Sequence, residues 1–273
     1  MKINITGASG FIGKHLVSEL SIEHKGIVPI SRSYHAGYAV VENYFDTPPG
    51  DLLVHLAEDP DRNRVNQLGQ GYIQFSSAVI KNLVEKFGKN LIYISSGIVY
   101  GDAGHIPYEV ESNLYSKDIY TQSKILNESI CLEAGGTVLR LSNIYGEGMS
   151  KNNVFSHIID QVKSKDRISL QDPVPIRDFL YVKDVCQILD MVIKNRKSGV
   201  FNVGSGIGVS ILELARKISR ISGENKYDIN FNFRDQDRWS FNVLDIKETS
   251  KSFGWIPKYT LDDGIQNLLL LYK

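Results

Sequence analysis

Residues 7–13 read Gly-Ala-Ser-Gly-Phe-Ile-Gly, directly after the apolar run Ile3-Asn4-Ile5-Thr6 and directly before a helix-like stretch at 14–20. A short strand that runs through three evenly spaced glycines into a helix is what holding a pyrophosphate on a helix N-terminus requires. Gly7 permits the tight turn, Gly10 lets the backbone approach the phosphates, and Gly13 lets the helix pack closely on the strand. The spacing is Gly-x-x-Gly-x-x-Gly, not the Gly-x-Gly-x-x-Gly of the common dinucleotide fingerprint, so the loop alone is also compatible with another nucleotide fold.

The rest of the first half supports a parallel sheet. Apolar runs at 27–30, 52–56, 91–94 and 137–141 are continuous, as expected for strands covered on both faces. Helical periodicity fills 72–87 and 120–133 between them. Strand alternating with helix predicts an α/β fold, a doubly wound parallel sheet of the Rossmann type, over residues 1–150. Residues 151–273 read as a smaller α/β substrate-binding region, with helices at 154–163, 185–193 and 212–221 and a strand at 200–203 that returns to the main sheet. The cleft between the two regions is the expected ligand site.

Composition narrows the partners. Lys plus Arg and Asp plus Glu both number 31, so the net charge is zero and nothing favours nucleic acid or a membrane surface. Cys131 and Cys186 lie far apart without metal-ligand spacing, and the histidines form no metal pattern, so no metal is expected. Two isolated thiols, no leader-like start and no bilayer-length apolar stretch predict a cytoplasmic protein.

A second constellation carries chemistry. Tyr120 and Lys124 are four apart, which on a helix puts phenol and ammonium on one face. A nearby cation favours phenolate, lowering a tyrosine from its ordinary value of about 10 toward a range where it transfers protons. Ser95 and Ser96 end the strand at 91–94, where active residues of open α/β sheets gather. A hydroxyl there can hydrogen-bond a substrate carbonyl while the tyrosine moves its proton.

These pieces together resemble the extended short-chain dehydrogenases/reductases of the nucleotide-sugar epimerase/dehydratase superfamily. The matching segments are residues 7–13, Val54-His55-Leu56-Ala57, the run 93–101 (Tyr-Ile-Ser-Ser-Gly-Ile-Val-Tyr-Gly) and Tyr120-Thr121-Gln122-Ser123-Lys124. Further on come 139–146, 177–185, 201–206 and Gly254-Trp255-Ile256-Pro257, so the resemblance spans nearly the whole chain. It implies that Ser96, not Ser95, is the catalytic hydroxyl, that Tyr120 is the proton shuttle and also contacts the cofactor, and that Lys124 contacts the nicotinamide ribose. It implies cofactor contacts from Ser9, Phe11 and Ile12 in the glycine loop and from Leu56 and Ala57. It places Asn143 beside a nucleoside-diphosphate sugar and Arg177 on its diphosphate, with Arg234 or Arg238 as a second phosphate ligand. It also implies a homodimer through the helices near 71–87 and 120–134.

The reaction within that superfamily follows from two local features. Ile30 is followed by Ser31-Arg32-Ser33, with no carboxylate where one would bind a free ribose 2′-hydroxyl. Arg32 can instead form charge-assisted bonds to a 2′-phosphate, aided by the two hydroxyls, which favours NADP(H) over NAD(H). Ser96 is followed by Gly97-Ile98, which cannot supply the acid and base that the resembling 4,6-dehydratases place there. An NADPH-dependent reductase of a 4-keto-6-deoxy nucleotide sugar is therefore favoured over an NAD-dependent C4 epimerase, and both over a nucleotide sensor without catalysis. Asp46, Glu58 and Asp59 are carboxylates able to touch adenine or sugar but are assigned to neither, and His55 reads as a core histidine.

Overall fold

The computed structural model describes residues 1–164, 167–223, 229–231 and 239–271. The first half runs β1 (Ile3–Thr6), α1 (Phe11–Glu23), β2 (Ile27–Ser31), β3 (Ala39–Val40), β4 (Leu52–His55), α2 (Arg62–Leu68), α3 (Gln70–Phe87), β5 (Leu91–Ser96), α4 (Ile119–Glu133) and β6 (Thr137–Leu141). Then follow β7 (Asn143–Tyr145), α5 (Val154–Lys163), β8 (Ile168–Leu170), β9 (Ile176–Tyr181), α6 (Val182–Asn195) and β10 (Gly199–Val203). The last elements are β11 (Gly208–Ser210), α7 (Ile211–Ile221), β12 (Ile229–Phe231), β13 (Phe241–Asn242), α8 (Lys247–Phe253) and α9 (Leu261–Leu270).

Seven strands form one sheet in the order β10-β6-β5-β4-β1-β2-β3, parallel at every pairing. Its continuous apolar runs are explained by burial on both faces. Leu52 and Val54 join the core that contains α1, α6 and Trp255, whereas Leu53 joins the opposite core with Val79, Ile80 and Leu83 of α3. Ile92 and Ile94 likewise face one side, Leu91 and Tyr93 the other. The winding reverses between β1 and β4, and a reversal of this kind opens a crevice at the carboxyl ends of the strands.

A second sheet has the order β11-β9-β13, with β7 also paired to β9. It packs on α5, α7 and α9 around Tyr145, Phe155, Phe179 and Leu214. Asp178 on β9 is fully buried and accepts hydrogen bonds from the Ser205 amide and hydroxyl and from the Gly206 amide, just beyond β10. One carboxylate thus fastens the small sheet to the end of the large one. Among the described residues no helix is long and apolar enough to cross a membrane.

Candidate active site

The glycine loop lies at the reversal point. Gly7 has φ +68°, and a Cβ there would lie 2.9 Å from the carbonyl carbon of Leu56 and 3.0 Å from the Ala57 backbone. The end of β1 and the end of β4 therefore touch through their main chains. A Cβ at Gly13 would sit 2.2 Å from the Gly7 carbonyl oxygen and 2.7 Å from Ala8 Cα. Neither site tolerates a side chain, because what a side chain would strike is backbone. Gly10 is the N-cap of α1 and supplies no side chain to its first amides. Those amides are left to an anion, so the cradle fits a dinucleotide pyrophosphate.

Residues 31–33 divide their work. Ser31 is buried; its hydroxyl is 2.9 Å from that of Ser9 and accepts from the Ser33 amide at 3.1 Å. It braces the glycine loop from below. Arg32 and Ser33 are exposed, and the Arg32 guanidinium lies 5.8 Å from the centre of the Tyr44 ring. The arginine is thus solvent-facing at the carboxyl end of β2.

The tyrosine and lysine come from α4, whose start is fixed by a capping box between Asp118 and Thr121. Asp118 also accepts from Arg62 Nε at 2.6 Å and from Asn66 Nδ2 at 3.1 Å, and Asn66 Oδ1 accepts from the Tyr120 amide at 3.1 Å. α2 therefore clamps the first turn that carries Tyr120. Lys124 Nζ lies 5.9 Å from the Tyr120 ring centre and donates to the Ile94 carbonyl at 3.0 Å. That bond ties the tyrosine's helix to β5 two residues before Ser96. Ser96 is half-buried at the end of β5, and its hydroxyl accepts weakly from the Ile98 amide at 3.4 Å. A cavity of about 310 Å³ opens beside these elements, lined by Ile98, Gly101, Asp102, Tyr115, Lys117 and Thr121 among others.

On the substrate side, Asn143 is exposed and donates to the Asp178 carbonyl at 3.1 Å. Arg177 is held by the protein itself. Its guanidinium donates to the Ser240 hydroxyl at 2.6 Å and to the Ser240 and Ile176 carbonyls at 3.1 and 2.9 Å, with Asp102 at 4.0 Å. Arg234 and Arg238 lie outside the described residues.

Comparison with known proteins places this architecture. The sequence model of the NAD dependent epimerase/dehydratase family matches residues 3–204. The chain belongs to that family. The dTDP-4-dehydro-6-deoxyglucose reductase of Escherichia coli is 26% identical over 97% of this chain and 95% of its own length. The GDP-6-deoxy-D-mannose reductase of Pseudomonas aeruginosa is 27% identical over 98% and 96%. Among solved structures, the UDP-glucose 4-epimerase of Thermotoga maritima superposes with a TM-score of 0.87 at 21% identity, over 100% of this chain and 98% of that one. Other solved neighbours were determined with NADPH or with NAD.

Against this family frame, sequence reasoning missed the layer beneath the lysine. Glu58, left without a role, has a side chain only 8% exposed and lies 2.5 Å from Lys124 Nζ. Tyr93 and Asn127 donate to the same carboxylate at 2.8 and 2.7 Å. Lys124 and Asn127 sit three apart on one face of α4, and that polar pair on a buried face was the available signal. His55 is a core residue as read: it is 2% exposed, and its Nδ1 is 2.8 Å from the Thr6 hydroxyl.

Burial pushes the His55 imidazole down to about 4, so it is neutral at physiological pH. The unfolded chain takes up this proton near pH 6.5, before the folded protein does. The resulting stability is present above pH 6.5 and is lost as pH falls toward 4, amounting to about 3 kcal/mol. His55→Gln should flatten the stability profile between those pH values by a comparable amount. Parallel urea-unfolding profiles for the two proteins would count against it.

Proposed function

We propose that the protein reduces the 4-keto group of a 4-keto-6-deoxy nucleoside-diphosphate sugar, with NADPH as donor. The observation that carries this reading is Arg32, exposed at the carboxyl end of β2 with no carboxylate beside it at residues 31–33. A guanidinium there suits a ribose 2′-phosphate. NADPH is a donor that must be exchanged every turnover, as net reduction requires. Gly97 and Ile98 after Ser96 supply no acid or base for eliminating water. Two relatives matched over nearly their full length are named as reductases of deoxysugar nucleotides.

When bound, NADPH supplies the hydride to the carbonyl carbon. The protein's part is positional and electrostatic. The glycine loop and α1 hold the pyrophosphate, and Lys124 holds the nicotinamide ribose. Ser96 donates a hydrogen bond to the carbonyl oxygen as negative charge builds on it. Tyr120 delivers the proton to that oxygen, so ketone, hydride and proton balance to an alcohol. Asn143 and Arg177 orient the sugar and diphosphate, and α3 and α4 form the face for a second copy of the chain.

The test is a panel of 4-keto-6-deoxy sugar nucleotides incubated with NADPH or NADH. Stoichiometric loss of nicotinamide absorbance, faster with NADPH, together with a product carrying two more hydrogens, is the expected result. Interconversion of sugars with no net change in nicotinamide would replace this reading with the C4 epimerase. Cofactor binding without turnover across the panel would leave a sensor.

A further inference from the structure

Lys124 is buried, with 8% of its side chain exposed, and it is not alone there. Its Nζ meets Glu58 Oε2 at 2.5 Å and the Ile94 carbonyl at 3.0 Å. The Glu58 carboxylate is itself held from two elements, by the Tyr93 hydroxyl of β5 at 2.8 Å and the Asn127 amide of α4 at 2.7 Å. Both of its oxygens are occupied, so it cannot turn away without leaving donors unmatched. We propose that Glu58 is a positioning residue, whose buried carboxylate fixes the Lys124 ammonium against β5 and keeps it charged for the cofactor ribose. The inference rests on the reading of Lys124 given above.

The groups facing Lys124 come from every element around it. α4 contributes Tyr120, β5 contributes Tyr93, α3 contributes Tyr72 and β4 contributes His55. Burial raises Tyr93 well above the usual phenol value and Tyr72 to about 12, and the imidazole of His55 is uncharged. These three are neutral at physiological pH. Neighbouring carboxylates are committed elsewhere: Asp59 accepts from Arg64 at 2.7 Å, and Glu128 accepts from Arg140 at 2.6 Å. Glu58 is thus the carboxylate that answers the lysine's charge. Burial, the largest single influence, would depress Lys124, as it does for isolated buried lysines, but the Glu58 carboxylate, together with the nearby Tyr120 and Tyr72 phenols, holds the ammonium above its ordinary value. The same pairing draws Glu58 down: burial would raise its carboxyl, and chiefly the Lys124 charge, helped by hydrogen bonds from Lys124 and Tyr93, reverses that.

The first readout takes Lys124 directly, without cofactor or sugar. Protein carrying ¹³Cε-lysine is titrated by NMR, with the Lys124 resonance assigned by its disappearance in Lys124→Arg. In the parent it should stay protonated beyond the ordinary lysine value of about 10.4. In Glu58→Gln it should titrate lower by about two to three pH units. The alkaline fall of kcat/KM should move down with it, and Asn127→Asp in that background should return both toward the parent. Titration of the parent resonance at or below the ordinary value, or coincident curves in parent and Glu58→Gln, would overturn the proposal. Should Glu58→Gln not fold, the parent titration decides alone. A parent that turns over no sugar nucleotide would remove the reductase reading, and the Lys124 curve would still report on Glu58.

Discussion

Tyr120→Phe is expected to lower turnover by about 10²- to 10⁴-fold while leaving NADPH affinity near that of the parent. The substitution removes one hydroxyl and keeps the ring that faces Lys124 at 5.9 Å. It also leaves the Tyr120 amide on Asn66 and the capping box of α4 untouched. In the proposed reduction, what disappears is the proton that must reach the carbonyl oxygen as hydride arrives. Ser96 can still hydrogen-bond that oxygen, but it cannot neutralise it. The loss should therefore fall on kcat, because the interaction that matters is made in the transition state. Steady-state kinetics with a 4-keto sugar nucleotide, paired with NADPH titration by fluorescence, separates the two quantities. Turnover within about twofold of the parent would remove Tyr120 from the chemistry.

The parts of this picture that sequence revealed share a physical origin. Strands such as Leu91–Ser96 and Thr137–Leu141 are buried on both faces, so their apolar runs are uninterrupted and conspicuous. Tyr120 and Lys124 were visible because helical spacing alone brings them to one face. α2 was not visible: it buries only Val65, so it has no apolar period, yet Asn66 within it holds the Tyr120 turn. β9 was hidden for a related reason. Its first half reads Ile-Arg-Asp, and Asp178 is buried there because donors from residues 205, 206 and 244 converge on it from far along the chain. Glu58 follows the same rule. A carboxylate between Ala57 and Asp59 reads as solvent-facing until a lysine 66 positions later arrives to neutralise it. Local pattern betrays apolar burial, whereas polar burial is decided by partners far along the chain.

Buried polar pairing also sets the largest expected stability effect. Arg140 on β6 and Glu128 on α4 are 4% and 2% exposed and meet at 2.6 Å. Arg140 Nε is 3.1 Å from both oxygens of the same carboxylate, and its Nη1 donates to the Tyr100 hydroxyl at 2.7 Å. Tyr100 passes its proton bond on to Asn202 of β10 at 2.8 Å, and the Ser95 hydroxyl donates to Glu128 from β5. Three adjacent strands and a helix are thus joined through one ion pair. Glu128→Ala leaves that guanidinium buried without its counter-charge, and breaking a buried pair from one side typically costs about 3–5 kcal/mol. The loss should appear as a lower urea midpoint with an unchanged slope. Removing both charges is a different matter. Glu128→Leu with Arg140→Met strands no ion, so the double variant should be more stable than Glu128→Ala even though it lacks more hydrogen bonds. If Glu128→Ala costs less than about 1 kcal/mol, or if the double variant is the less stable of the two, the penalty does not come from an uncompensated charge.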